Sequence, residues 1–183
     1  MKWIAAICTS LSLVMPVSAQ VQGVMLDEPV TLPEFAFSNE LGESFTSDDT
    51  MNAWTLVMFG FLSCPDVCPF TLGNLEAAVA ETGMRVRPDN VPNVVFVSVD
   101  PDRDAEFTCE RYQIDAMIEA TDSYYRLLEP DHTGFYDVQH TSAVSVIAPD
   151  GTLRAKLQPP FDPGLTAEFL ARLQITYRKE LSQ

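Results

Sequence analysis

Apolar positions along this chain fall into two patterns, continuous runs and helical spacings. WTLVMFGFL, Trp54 to Leu62, is an unbroken apolar run of strand length, and a run without alternation belongs to a strand covered on both faces. NVVFVSVD, Asn93 to Asp100, reads as a second buried strand, and SAVSVIAPDGTLRAKL, Ser142 to Leu157, as two strands joined across a Pro-Asp-Gly turn. Leu72, Leu75 and Val79 recur at helical spacing, with Gly83 as the C-cap. Asp104 is a candidate cap for a helix carrying Phe107, Ile114, Met117 and Ile118, and Phe169, Leu170, Leu173 and Tyr177 give one apolar face of a C-terminal helix. Nearer the start, Phe35 and Phe37 alternate with smaller residues before a turn-like SNELG and Phe45, which predicts an N-terminal β-hairpin. The order hairpin, strand, helix, strand, helix, hairpin, helix predicts an α/β sandwich with buried central strands and chemistry where strands end and helices begin.

The first residues change where such a domain would work. MKWIAAICTSLSLVMPVSAQ has a lone Lys2, an apolar run from Trp3 to Val14, then Val17, Ser18 and Ala19 in a small-residue pattern. Residues 1–19 read as a secretory signal cut before Gln20, leaving one domain over 20–183 and a periplasmic location. The apolar run is about twelve residues, against the roughly 20 that a spanning helix needs. Cys8 would leave with the signal, so the mature chain keeps Cys64, Cys68, Cys109, His132 and His140. In an oxidising compartment such thiols pair, bind metal or are kept reduced by a dedicated partner. The formal charge of −15 becomes −16 once Lys2 is removed, a surface that repels nucleic acid and anionic lipid. Contact with a membrane is then expected only through a partner.

Candidate chemistry gathers in FGFLSCPDVCPF, Phe59 to Phe70. A proline is welcome at the first helical position and costs about 3 kcal/mol inside a helix. A helix starting at Pro69 would put Cys68 at its N-cap and Cys64 in the preceding turn, both beside the positive end of the helix dipole, where thiolates are favoured. As a purely structural disulfide so small a loop contributes only about 2 kcal/mol, against about 3 for a 15-residue loop. As a zinc site the pair lacks a second C-x-x-C or H-x-x-x-H. A peroxidase of the peroxiredoxin type wants Thr or Ser three residues before its cysteine, where Phe61 and Pro65 stand. Redox chemistry or a soft metal ion remains, and soft thiolates with an added imidazole suit copper. His140 immediately precedes the strand SAVSVIA and approaches the cysteine junction if that strand lies beside WTLVMFGFL; His132, in the polar loop EPDHTG, has no such placement. Cys109 reads as a small buried hydrophobe, and Met58, Met84 and Met117 as core.

GFLSCPDVCP, VSVDPDRD and the segment from His140 to the turn PDG, in that order, resemble the three signature blocks of the Sco/SenC family. The resemblance implies a thioredoxin-like sandwich, a central mixed sheet flanked by helices, in an exported copper metallochaperone that helps assemble the CuA centre of cytochrome c oxidase. Under it, Cys64, Cys68 and His140 match the copper ligands, for Cu(I) or Cu(II), while Asp66 and Asp100 are candidates to support them from behind. The implied partners are a cytochrome c oxidase subunit or another cuproprotein, and a thiol-reducing partner for the Cys64/Cys68 redox dithiol. Such a protein passes an ion on and turns over no substrate. The enzymatic alternative is a periplasmic thiol-disulfide oxidoreductase acting on partner cysteines without copper. The stretch from Asp100 to His140 is shorter than the family pattern, so the strand and loop that usually follow the second helix are expected to be missing. Gln139 stands where an aspartate commonly precedes the histidine, and the chain is expected to be released, where the family is usually membrane-tethered.

Overall fold

The computed structural model describes residues 22–39, 41–63, 67–104 and 111–183. The proposed signal, Cys64, Asp66 and Cys109 lie outside these residues, and Cys68 is described by its backbone alone. In chain order the elements are β1 (Gly23–Thr31), β2 (Ala36–Ser38), β3 (Ser44–Thr46), β4 (Thr55–Gly60), α1 (Val67–Gly83), β5 (Asn93–Ser98), α2 (Arg111–Ala120), β6 (Tyr125–Leu127), β7 (Val138–His140), β8 (Val144–Ile147), β9 (Thr152–Leu157) and α3 (Pro163–Glu180). Five strands form one mixed sheet in the order β1-β9-β8-β4-β5. Only β4 and β5 run parallel; the other neighbours are antiparallel.

Strand β4 is buried from end to end, as its unbroken apolar run predicts. Successive side chains of a strand point to opposite faces. Leu56 and Met58 accordingly enter a core with Leu75 of α1 and Phe169, Leu170, Leu173 and Tyr177 of α3. Val57 and Phe59 enter a second core with Phe35 and Phe37, Ile114, Met117 and Ile118 of α2, and Val138 of β7. The predicted N-terminal hairpin is β2 and β3, with Phe37 opposite Phe45. The Pro-Asp-Gly turn joins β8 to β9, with Gly151 at φ 77°, a left-handed conformation that favours glycine. Helix α3 starts with Asp162 accepting from the Leu165 N–H at 2.8 Å, has Pro163 in its first turn, and carries Arg178 and Lys179 in its last.

Several expectations are corrected. Helix α1 begins at Val67, so Cys68 lies in the first turn instead of at the N-cap. Pro69 is tolerated there because the first N–H groups of a helix have no helical acceptor to lose. Strand β5 is the sheet edge and not a buried strand; Val94 is 39% exposed, and burial begins at Val97. Met84, the first residue past α1, is 79% exposed and belongs to no core, while Met58 and Met117 are fully buried. A strand does follow the second helix: β6 pairs with β7, Tyr125 opposite His140. Strand β1 was not predicted, because Asp27, Glu28 and Pro29 interrupt any strand pattern; it adds to β9 along an edge with a register shift between Met25 and Val30.

Candidate metal centre

Strand β8 does lie beside β4, with Val144 opposite Met58 and Ile147 opposite Thr55, so the start of β8 sits at the end of β4 that leads toward the cysteines. The chain leaves β4 through Phe61, Leu62 and Ser63, and resumes as α1 at Val67. His140, last residue of β7, meets this exit directly: its ring stands edge-on to the ring of Phe61, centroids 5.9 Å apart and planes at 89°. His140 Nδ1 lies 3.1 Å from the carbonyl oxygen of Thr141. The tautomer with its proton on Nδ1 donates to that oxygen and leaves the lone pair on Nε2, the arrangement by which histidines present a nitrogen to a metal. His132 sits exposed in its loop, as the sequence suggested.

The support for this exit comes from VSVDPDRD. Asp104 is buried and its Oδ2 accepts from the Leu62 N–H at 2.9 Å and the Ser98 hydroxyl at 2.6 Å, tying the β4 exit to the end of β5. The helix cap expected of it falls on residues 105–110, outside the described residues. Asp100, whose side chain is fully buried, receives the Tyr136 hydroxyl on Oδ1 at 3.1 Å, and Arg103 Nε lies 2.9 Å from its Oδ2, close enough for an ion pair but not aligned as a hydrogen bond. The Ser98 hydroxyl oxygen also accepts from the Asp100 N–H at 3.1 Å. Burial first, and then the hydrogen bond given to Asp100, raise the Tyr136 phenol above its ordinary pKa of 10.0, so it remains a donor at neutral pH. Strand β6 is tied to α2 by the Tyr125 hydroxyl, which donates to Asp115 at 2.7 Å and accepts from Arg111 at 3.3 Å. Burial, followed by that bond to Asp115, raises the Tyr125 phenol as well.

Of the residues singled out from the sequence, His140 and Asp100 are thus found around the β4 exit, Asp100 held by Arg103 and Tyr136. The sulfurs of Cys64 and Cys68 and the carboxyl of Asp66 lie outside the described side chains. Phe61, Asp104, Arg103 and Tyr136 were not anticipated as site residues. The signal that could have found Asp104 and Arg103 is a run of charge set directly at the end of a strand, next to the exit of its neighbour.

SCO1/SenC matches residues 25–113, which contain both cysteines and the whole VSVDPDRD block. Over that stretch the chain resembles the SCO1/SenC family. It is 29% identical over 172 residues to the human mitochondrial protein SCO1 homolog, covering 85% of this chain and 56% of that protein. Among solved structures it resembles Arabidopsis thaliana ScoI with copper bound, at TM-score 0.70 and 23% identity, over 79% of this chain and 98% of that one. Apo Sco1 from Thermus thermophilus matches at TM-score 0.65 and 25% identity, over 86% of this chain and 97% of that one. The fold is therefore the thioredoxin-like Sco fold, with its mixed sheet flanked by helices. The chain spans about half the length of the human relative, and the family match ends at Gln113, before His140. Among the described residues no helix is long and apolar enough to cross a membrane.

Proposed function

We propose that this protein is an exported copper metallochaperone, in which Cys64, Cys68 and His140 bind one copper ion and surrender it to a cuproprotein such as the CuA site of cytochrome c oxidase. The observation that carries the reading is the contact of His140 with Phe61. Phe61 is three residues from Cys64, a span of at most about 11 Å of extended chain, so an imidazole from far along the sequence stands beside the segment that leads into the cysteines. Two thiolates and an imidazole form a soft donor set that suits Cu(I) and, with the nitrogen, extends to Cu(II). Solved Sco structures with copper bound and the Sco proteins named for cytochrome c oxidase assembly support the choice of cargo and recipient. Residues 1–19 act as the export signal and the mature protein works in the periplasm. Oxidation of the two thiols to a Cys64–Cys68 disulfide, with two electrons and two protons passing to an oxidised partner, removes both sulfur ligands and couples metal release to redox state.

Titration of the reduced protein with Cu(II) tests this. Sulfur-to-copper charge-transfer absorption should saturate at one equivalent, vanish in Cys64→Ser and Cys68→Ser, and change in position and intensity in His140→Ala. A spectrum unaltered by His140→Ala in a folded protein would contradict the ligand assignment. The second reading is a thiol-disulfide oxidoreductase acting on partner cysteines, favoured by the position of Cys68 in the first turn of α1, where the helix dipole stabilises a thiolate. It predicts reductase activity in the presence of chelator and no dependence on His140.

A further inference from the structure

Arg103 touches both chain segments converging on the candidate centre. Its Nη1 donates to the Tyr136 carbonyl oxygen at 2.8 Å, and its Cζ lies 4.4 Å from the Tyr136 ring centroid and 4.9 Å from that of Phe61. Its Nε faces Asp100 at 2.9 Å, and Asp100 in turn holds the Tyr136 hydroxyl. The guanidinium thus sits between the two rings with a buried carboxylate at its edge. Phe61 leads to Cys64; Tyr136 leads into β7 and His140, and the Phe61 ring is in edge contact with the His140 ring.

Stability alone does not explain a charge at this place. Taking a cation and a carboxylate out of water costs several kcal/mol per ion, and well-packed apolar residues of similar volume often do as well or better. The Arg103 side chain is 19% exposed and that of Asp100 not at all, and Arg103 Nη2 is buried with no hydrogen-bond partner among the described residues. What a guanidinium provides and an apolar side chain does not is direction: a planar fork that fixes a carbonyl and a carboxylate while its flat faces lie along aromatic rings.

We infer that Arg103 is a positioning residue, holding Phe61 and Tyr136 so that the His140 ring keeps its orientation beside the cysteine segment. The inference deepens the proposed function, since the consequence for copper rests on His140 being a ligand, but the positioning itself is a property of the metal-free protein.

The test reads the two separately. In metal-free protein, NMR of the His140 ring protons reports the ring current of Phe61, with His132→Gln used to assign the two histidines. Arg103→Met leaves Asp100 buried without its countercharge and invites unfolding, so it is combined with Asp100→Asn; Arg103→Lys, which keeps the charge and loses the fork, serves as the second variant. In the folded double variant the His140 signals should move toward those of exposed His132, while the methyl signals of Leu56 and Leu170 stay put. Arg103→Lys should give an intermediate shift. For copper, the double variant should bind at least about tenfold more weakly, and adding His140→Ala to it should cost less than in the wild type. Unchanged His140 signals in the folded double variant, or in Arg103→Lys if the double variant does not fold, overturn the inference. Strictly additive copper losses overturn it too. A wild type that binds no copper overturns the proposed function, while the ring signals still decide the role of Arg103.

Discussion

The two faces of the central sheet are built on different terms. Under α1 and α3 the core is Trp54, Leu56, Met58, Leu75, Phe169, Leu170, Leu173 and their neighbours, all apolar or aromatic. The polar side chains buried around them, such as Thr82, Thr166 and Gln174, are neutral. The other core, under α2 and the short strands, adjoins both of the carboxylates buried among the described residues, Asp100 and Asp104. Apolar burial is strong but has no preferred direction, so it fixes which elements pack and leaves angles free. Hydrogen bonds and ion pairs are costly to bury and strongly directional, and here they gather where β4 and β5 end. The first face keeps the protein folded; the second keeps Phe61, Leu62 and His140 in register with one another.

The contrast breaks most visibly at Leu170. Leu170→Ala empties volume in the apolar core and should lower stability by about 2–5 kcal/mol. The copper spectrum per folded molecule should not change, since no directional contact to the site is lost. Urea unfolding and Cu(II) titration in the same buffer measure both, and an altered charge-transfer band would mean that the two faces are not independent.

Asp104→Ala should behave in the opposite way. It strips the acceptor from the half-exposed Leu62 N–H and the buried Ser98 hydroxyl, leaving both unpaired at about 1–3 kcal/mol. Stability falls less than in Leu170→Ala, yet the copper spectrum should shift, because Leu62 lies two residues from Cys64. Tyr125→Phe, which removes the bonds to Asp115 and Arg111, should cost about 1 kcal/mol and weaken copper binding slightly through β6 and β7. If neither variant alters the spectrum, the polar side is scaffolding and nothing more.

The same division governs how much could be read from the sequence. Elements of the apolar face announce themselves: β4 by its unbroken run, the β8–β9 hairpin by Pro-Asp-Gly, α3 by Phe169, Leu170, Leu173 and Tyr177. The adjacency of His140 and the β4 exit followed from one correct premise, that β8 lies beside β4. Strand β1 stayed hidden because its pairing with β9 joins residues more than a hundred positions apart while Asp27, Glu28 and Pro29 spoil its local pattern. For β5 the same apolar run that marks a central strand also fits an edge, and nothing in Val94 to Val97 says which. Arg103 reads as one more charge in a solvated turn, because the groups that bury it, Phe61 and Tyr136, come from distant segments. Local periodicity reports burial against a face; it carries no information on which side chains from remote segments will close around a charge.

The smallest effect sharpens the comparison from the stabilising side. Asp150, in the turn between β8 and β9, accepts from the Thr152 N–H at 3.0 Å, the Thr152 hydroxyl at 2.6 Å and Arg154 Nη2 at 2.7 Å. Burial pushes its carboxyl up, but the hydrogen bonds from Thr152 and Arg154 together outweigh that and hold it below the ordinary 3.8. A carboxyl depressed by folding contributes stability that is whole above its unfolded value, about 3.9, and is lost as the pH falls through the lower folded value. Asp150→Asn should therefore cost under about 1 kcal/mol at neutral pH, since the pair is partly in water. The gap to the wild type should close as the pH is lowered from about 4 toward 2, read from urea midpoints at several pH values, with the copper spectrum at neutral pH untouched. A gap that persists in acid would mean that the turn is held by Asp150 as a hydrogen-bonding shape and not as a charge, and the ionic contribution would then belong to the site-bearing side alone.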